Sequence, residues 1–122
     1  MSSAVFRRLA RDAERFANRL AFDAALSVVA ADAGIADANI DSVRSAGRHA
    51  KRAAPDRPAV FREALYLTVT RFSKEQRALS RAIGISAQAV NQALIEVERR
   101  REDASYDRIL DELELKLMEA CA

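Results

Sequence analysis

A single cysteine, Cys121, stands next to the end of the chain, so no internal disulfide can staple the fold, which suits a reducing, cytoplasmic setting. The lone histidine, His49, has no cysteine or second histidine at ligand spacing, which argues against a metal centre and against histidine-based proton transfer. Gly-rich phosphate loops, Ser/His/Asp constellations and nucleotide-hydrolysis modules are also missing. The chain is therefore read as a non-enzyme that needs no cofactor. No apolar run approaches the roughly 20 residues that span a bilayer, and Arg and Asp interrupt the first residues as they would not in a signal peptide. Aromatic residues are only 6% of the 122, so the core is thin for one compact domain and association with a partner is expected.

What the chain does have is charge, unevenly placed. Residues 1–56 carry 9 Lys/Arg and 7 Asp/Glu, residues 57–101 carry 9 and 4, and residues 102–122 carry 2 and 7, so the three parts stand at +2, +5 and −5. The middle part has the excess that a polyanion-binding surface needs, and the tail does not.

Helical periodicity runs through all three parts, and the predicted fold is all-α. Residues 3–31 read as a long amphipathic helix whose Phe6, Leu9, Ala13, Phe16, Leu20 and Ala24 form a seam that wants another helix, within the chain or from a second copy. Beside the seam runs a basic stripe of Arg8, Arg11, Arg15 and Arg19. It fits contact with phosphates, and it also fits a solvated face with Arg8–Asp12 and Arg19–Asp23 pairs. Gly34 ends this helix, and a second, basic one capped by Asp37 or Asp41 runs to about residue 54 with Arg44, Arg48, Lys51 and Arg52. Pro55 and Pro58 then bracket a linker. The expected domains are an N-terminal helical region, 1–54, for packing or dimerisation, and a second unit, 58–122.

Within that second unit the densest signal is Ser73 to Val97. A bracing helix over about 58–72 turns Phe61, Ala64, Leu65 and Phe72 inward. Ser73, with Gln76 three residues on, has the spacing of a capping box that opens a short helix to about residue 83, in which Leu79 and Ile83 point inward. Gly84 is suited to the left-handed residue that ends it, Ile85 to packing under the turn and Ser86 to capping the next helix, about 87–102. In that helix Val90, Leu94 and Val97 make the inner stripe and leave Gln88, Asn91 and Gln92 outside. A carboxamide donates and accepts at once, which matches the pattern of adenine in the major groove. Arg99, Arg100 and Arg101 close the helix, where they suit either its negative end or a phosphate. A last helix from Ser105 to about Glu119 has Ile109, Leu110, Leu113 and Leu117 as its stripe, with Asp111, Glu112, Glu114 and Glu119 outside and Leu115 and Met118 on a second apolar edge.

The run GISAQAVNQAL resembles the helix-turn-helix of phage Cro and repressor proteins: Gly at the turn, an apolar residue after it and a β-branched apolar residue six past the Gly. Ser80 stands where that family usually has Ala. More broadly, ALYLTVTRFSKEQRALSRAIG within residues 61–114 is similar to the C-terminal DNA-binding domain of the bacterial replication initiator DnaA. Its Arg-Asp-His-Thr-Thr type run is replaced here by ISAQA, so the initiator's own target is not implied. Alphaproteobacterial activators of phage-like gene-transfer clusters carry a similar DnaA-like helix-turn-helix.

The resemblance implies double-stranded DNA as partner, with phosphate contacts setting register and base edges read separately. Arg71, Ser73, Lys74, Arg77 and Arg81 are the expected phosphate set. Ser86, Ala87, Gln88, Asn91 and Gln92 are the expected base readers. Three functions follow as alternatives. The first is a sequence-specific transcription regulator of bacterial or phage type, nucleoid-associated in the cytoplasm, activating with a homodimer partner, a co-activator or RNA polymerase. The others are a replication accessory protein that loads or regulates a helicase, and a protein-interaction module that binds no DNA.

Overall fold

The computed structural model describes residues 3–35 and 56–121, and the described residues contain five helices and no strand. Helix α1 spans Ser3–Asp32, α2 Asp56–Arg71, α3 Gln76–Ile83, α4 Ala87–Arg100 and α5 Ala104–Ala120. The basic helix expected over about 37–54, with Arg44, Arg48, His49, Lys51 and Arg52, lies outside the described residues.

Gly34 ends α1 as expected. It takes the left-handed φ of 76°, and the next amide, of Ile35, donates 2.9 Å back to the carbonyl of Ala30. The face that α1 buries differs from the expected seam. Phe22, Ala25, Leu26, Val29 and Ala30 enter the core, whereas Phe6, Leu9, Phe16 and Leu20 remain 67%, 50%, 65% and 52% exposed. Two physical facts account for this. At 1.5 Å per residue, α1 is about 45 Å long, while the other helices have 16, 8, 14 and 17 residues and bury it only from Asn18 onward. There, Phe22, Leu26 and Val29 bury more apolar surface than Leu20 and Ala24 can. A helix turns about 100° per residue, so seating Phe22 inward swings Leu20 to the far side.

Helix α2 packs against both α1 and α4. Pro58 falls in its first turn, where a missing N–H leaves no hydrogen bond unmade. Val60, Phe61, Ala64, Leu65 and Leu67 are buried, and Phe61 meets Phe22 of α1 edge-on with ring centroids 5.4 Å apart. Residues from all five helices thus share one hydrophobic core on both sides of the Pro55–Pro58 stretch. Buried Thr68 satisfies its hydroxyl within the helix, donating 2.7 Å to the carbonyl of Ala64.

Helix α5 closes the core with Tyr106, Leu110, Leu113 and Leu117. Asp103 caps it, accepting from the amides of Ser105 at 2.8 Å and Tyr106 at 3.3 Å. Ile109, expected on the inner stripe, is exposed, as are Leu115 and Met118. Glu114, expected outside, is buried. Its carboxylate accepts from Arg71 of α2 and from Arg101 after α4, so the ion pairs compensate its desolvation. Lys116 pairs with Asp32 and ties α5 to the end of α1. No described helix is long and apolar enough to cross a membrane.

Candidate nucleic-acid interface

The pair α3–α4 is held by its turn. Gly84 ends α3 with φ 75°, and the amides of Gly84 and Ile85 both donate to the carbonyl of Ser80, at 2.9 and 3.1 Å. Ser86 caps α4, its hydroxyl oxygen accepting from the amide of Ala89 at 3.0 Å. Leu79, Ile83, Val90, Ala93 and Val97 fill the space between the helices, and Ile85 and Leu94 pack at its edge. Buried Ser80 donates its hydroxyl 2.7 Å to the carbonyl of Arg77, which is how a polar residue is accommodated there.

The start of α3 departs from expectation. No capping box forms at Ser73: the helix begins at Gln76, after Glu75, which makes no side-chain cap. Ser73 instead has a positive φ of 53°. Helix α2 continues to Arg71, and the chain must reverse within the few residues that remain before α3. Ser73 provides that reversal in the left-handed region and is therefore unavailable as a cap.

Three of the expected readers, Ala87, Gln88 and Asn91, line one groove of the pair, and Ser86 and Gln92 do not. Gln88, Asn91 and Gln92 are exposed on α4, with Ser86 exposed at its cap and Ala87 half-buried. Lys74, Gln76, Arg77, Ala87, Gln88 and Asn91 line a common groove across the N-terminal ends of α3 and α4, with Glu75 the one acid on its wall. Lys74 and Arg77 make no ion pair among the described residues, so their charge is available. Both helix N-termini open on this groove and add their dipoles to that positive field.

Three of the expected phosphate residues, Arg71, Ser73 and Arg81, do not line this groove. Arg71 is turned toward α5, where it pairs with Glu114. Arg81, one turn beyond Arg77 on the exposed side of α3, lines a separate groove with Arg8, Arg11 and Arg15 of α1. The three consecutive arginines at the end of α4 are all engaged within the chain. Arg99 pairs with Glu96 at 2.8 Å, Arg100 lies 4.1 Å from the centre of the Tyr106 ring, and Arg101 donates to Asp107, Asp111 and Glu114 at 2.5, 2.8 and 3.1 Å.

These contacts tie the end of α4 to α2 and α5. Burial pushes the Arg101 guanidinium toward losing its proton, but its bonds to Asp107, Glu114 and Tyr66 outweigh that and hold it more firmly charged. Tyr66 donates 2.8 Å to Glu98 of α4, and burial together with that carboxylate raises its hydroxyl above the usual tyrosine value. Tyr106 donates 2.7 Å to Glu63 of α2 and is raised by the same two causes, burial first.

The Arg8–Arg11–Arg15–Arg81 convergence was only half legible. The α1 stripe shows as a spacing of three and four, but that Arg81 lies against it is a tertiary fact. Of the two pairs expected along the stripe, Arg19–Asp23 forms at 3.8 Å and Arg8–Asp12 does not. Compared with known proteins, the chain is matched by no family model, no curated protein and no solved structure.

Proposed function

We propose that the chain is a sequence-specific, double-stranded DNA-binding transcription regulator in which α3 and α4 act as a helix-turn-helix. One observation carries this reading: unpaired Lys74 and Arg77 share a groove with the exposed carboxamides of Gln88 and Asn91. That places cations able to hold phosphates beside donor–acceptor groups able to read base edges, the two parts that sequence-specific binding needs. The motif's resemblance to repressor and DnaA-like turns supports it, as does the charge excess of residues 57–101. In this reading α4 enters the major groove by its N-terminal turn, with Ser86 and Ala87 at the tip, and α3 lies across the backbone.

The regulator is read as an activator that works with a protein partner, a second copy, a co-activator or RNA polymerase. The apolar stripe of Phe6, Leu9, Phe16 and Leu20 left exposed on α1 supports a protein contact. No catalytic step is part of this reading.

The test is genome-wide occupancy of the native protein, followed by salt titration of binding to the promoter DNA it recovers. Expected are discrete promoter sites and an affinity that falls steeply with salt. Occupancy confined to a replication origin would move the protein to replication, and absence of DNA binding at low salt would leave only a protein-interaction role.

A further inference from the structure

Where the N-terminal half of α1 passes α3, a groove of about 390 Å³ opens between them. Four guanidiniums line it: Arg8, Arg11 and Arg15 from successive turns of α1, and Arg81 from α3. None of the four forms an ion pair among the described residues. Asp12 and Glu14 also line the groove, which leaves it at +2 from four cations and two acids. Arg8 and Arg11, and Arg11 and Arg15, are like charges at i,i+3 and i,i+4, an arrangement that weakens a helix. It persists although Asp12 stands at pairing distance in sequence from Arg8.

At the inner end of the groove is Asn18, 3% exposed. Its carboxamide can make up to four hydrogen bonds, and it has no hydrogen-bond partner among the described residues. A buried amide is normally satisfied, and here the group it faces is the lumen of a cationic groove. Arg19, one residue on, donates 3.4 Å to the carbonyl of Ala82 and braces α1 against α3 at this point. The walls are therefore held together without a ligand.

We propose that the groove between α1 and α3 is a phosphate-binding site, with Asn18 donating to a phosphate oxygen and Arg8, Arg11, Arg15 and Arg81 neutralising its charge. Its source is the backbone of the duplex that α4 reads, and to that extent the proposal rests on the function given above. Arg77 lines the reading groove and Arg81, four residues on along the same face of α3, lines this one. Phosphates held at Lys74 and Arg77 thus continue along the strand to Arg81 and α1. Helix α1 then lengthens the footprint beyond what α3 and α4 cover, adding affinity without sequence preference.

Two measurements on the full chain separate this site from the reading it extends. In the first, the nitrogen-15-labelled protein is titrated with pyrophosphate and the side-chain amide of Asn18 is followed by NMR. A saturable shift is expected, lost in an Arg11→Ala/Arg15→Ala variant, whose exposed side chains can be removed with the helix retained by circular dichroism. In the second, the salt dependence of duplex binding is compared between the native chain, that double variant and Arg77→Ala. Each phosphate contact removed lowers the slope of log K against log salt by about 1, so the double variant should lose about 2, equally on matched and scrambled DNA. If Arg77→Ala lowers the slope while the double variant does not, and Asn18 is unmoved by pyrophosphate, the groove is not a phosphate site and the DNA reading stands. Should pyrophosphate move Asn18 while no duplex binds at any salt, the groove stands as a site for a free phosphate ligand and the DNA reading falls.

Discussion

Arg101 and Glu114 meet at 3.1 Å with side chains only 17% and 10% exposed, joining the end of the proposed reading helix to α5. Glu114 also accepts from Arg71 of α2, so one buried carboxylate holds three segments together. Removing one partner of a buried pair is costly because the other is left charged in a dry site. Glu114→Ala leaves Arg71 without its partner, but Arg71 is 42% exposed and Arg101 keeps Asp107 and Asp111, so the expected loss is roughly 1–2 kcal/mol. Urea unfolding checks this, and a loss too small to resolve would show that water already solvates the pair.

Gly84 isolates the cost of a backbone conformation. A Cβ built there meets nothing within 4 Å, so Gly84→Ala costs only its left-handed φ, about 1–2 kcal/mol. A lower melting temperature with unchanged helicity is expected. No loss of stability would mean that the turn relaxes to another conformation.

Phe16 and Phe22 form a natural contrast on one helix. Phe22→Ala should cost about 3–5 kcal/mol, since its ring is fully buried against Phe61. Phe16→Gln removes an exposed ring and should stay within about 0.5 kcal/mol. A large loss in the Phe16 variant would reveal that its ring is covered in solution.

Burial pushes the Glu63 carboxyl above its ordinary 4.5, against the hydrogen bond from Tyr106. A raised folded value means that the folded state binds more protons than the unfolded one in the window above 4.5. Glu63 therefore subtracts stability as pH rises through that window. Glu63→Gln keeps an acceptor for Tyr106 and removes the titration, so the variant should gain on the native chain as pH rises from 4.5. Denaturation midpoints across that range provide the check, and parallel curves would rule the effect out.

On DNA, Asn91→Ala should cost about 1–3 kcal/mol at particular base pairs, whereas Arg77→Ala should weaken all sequences alike. Mobility-shift titrations against matched and scrambled sites distinguish the two. Equal losses on both for the Asn91 variant would remove it from the readers.

The parts of the molecule legible in its residues are those settled within a turn or two of chain. Gly84 and Ser86 announce the α3–α4 turn because a left-handed stop and a hydroxyl cap are local devices, and Gly34 ends α1 for the same reason. Leu79, Ile83, Val90 and Val97 were readable as an inner stripe because short helices have one apolar side. Ser73 departs from this pattern although it too is local. Its residue type suits a cap, but the end of α2 decides how much chain is left to turn.

Sequence alone determined that the described segments are helical, where α1 and α3 stop and that the cations gather in the middle part of the chain, since periodicity, caps and charge counts need no neighbours. Tertiary structure decided which face each helix spends on the core. It turned Phe16 and Leu20 outward by seating Phe22, and drew Glu114 inward by bringing Arg71 and Arg101 to it. It also laid Arg81 beside Arg8, Arg11 and Arg15, residues more than sixty positions away. Burial and ion pairing are settled by what lies opposite a side chain, and only the packed chain supplies that.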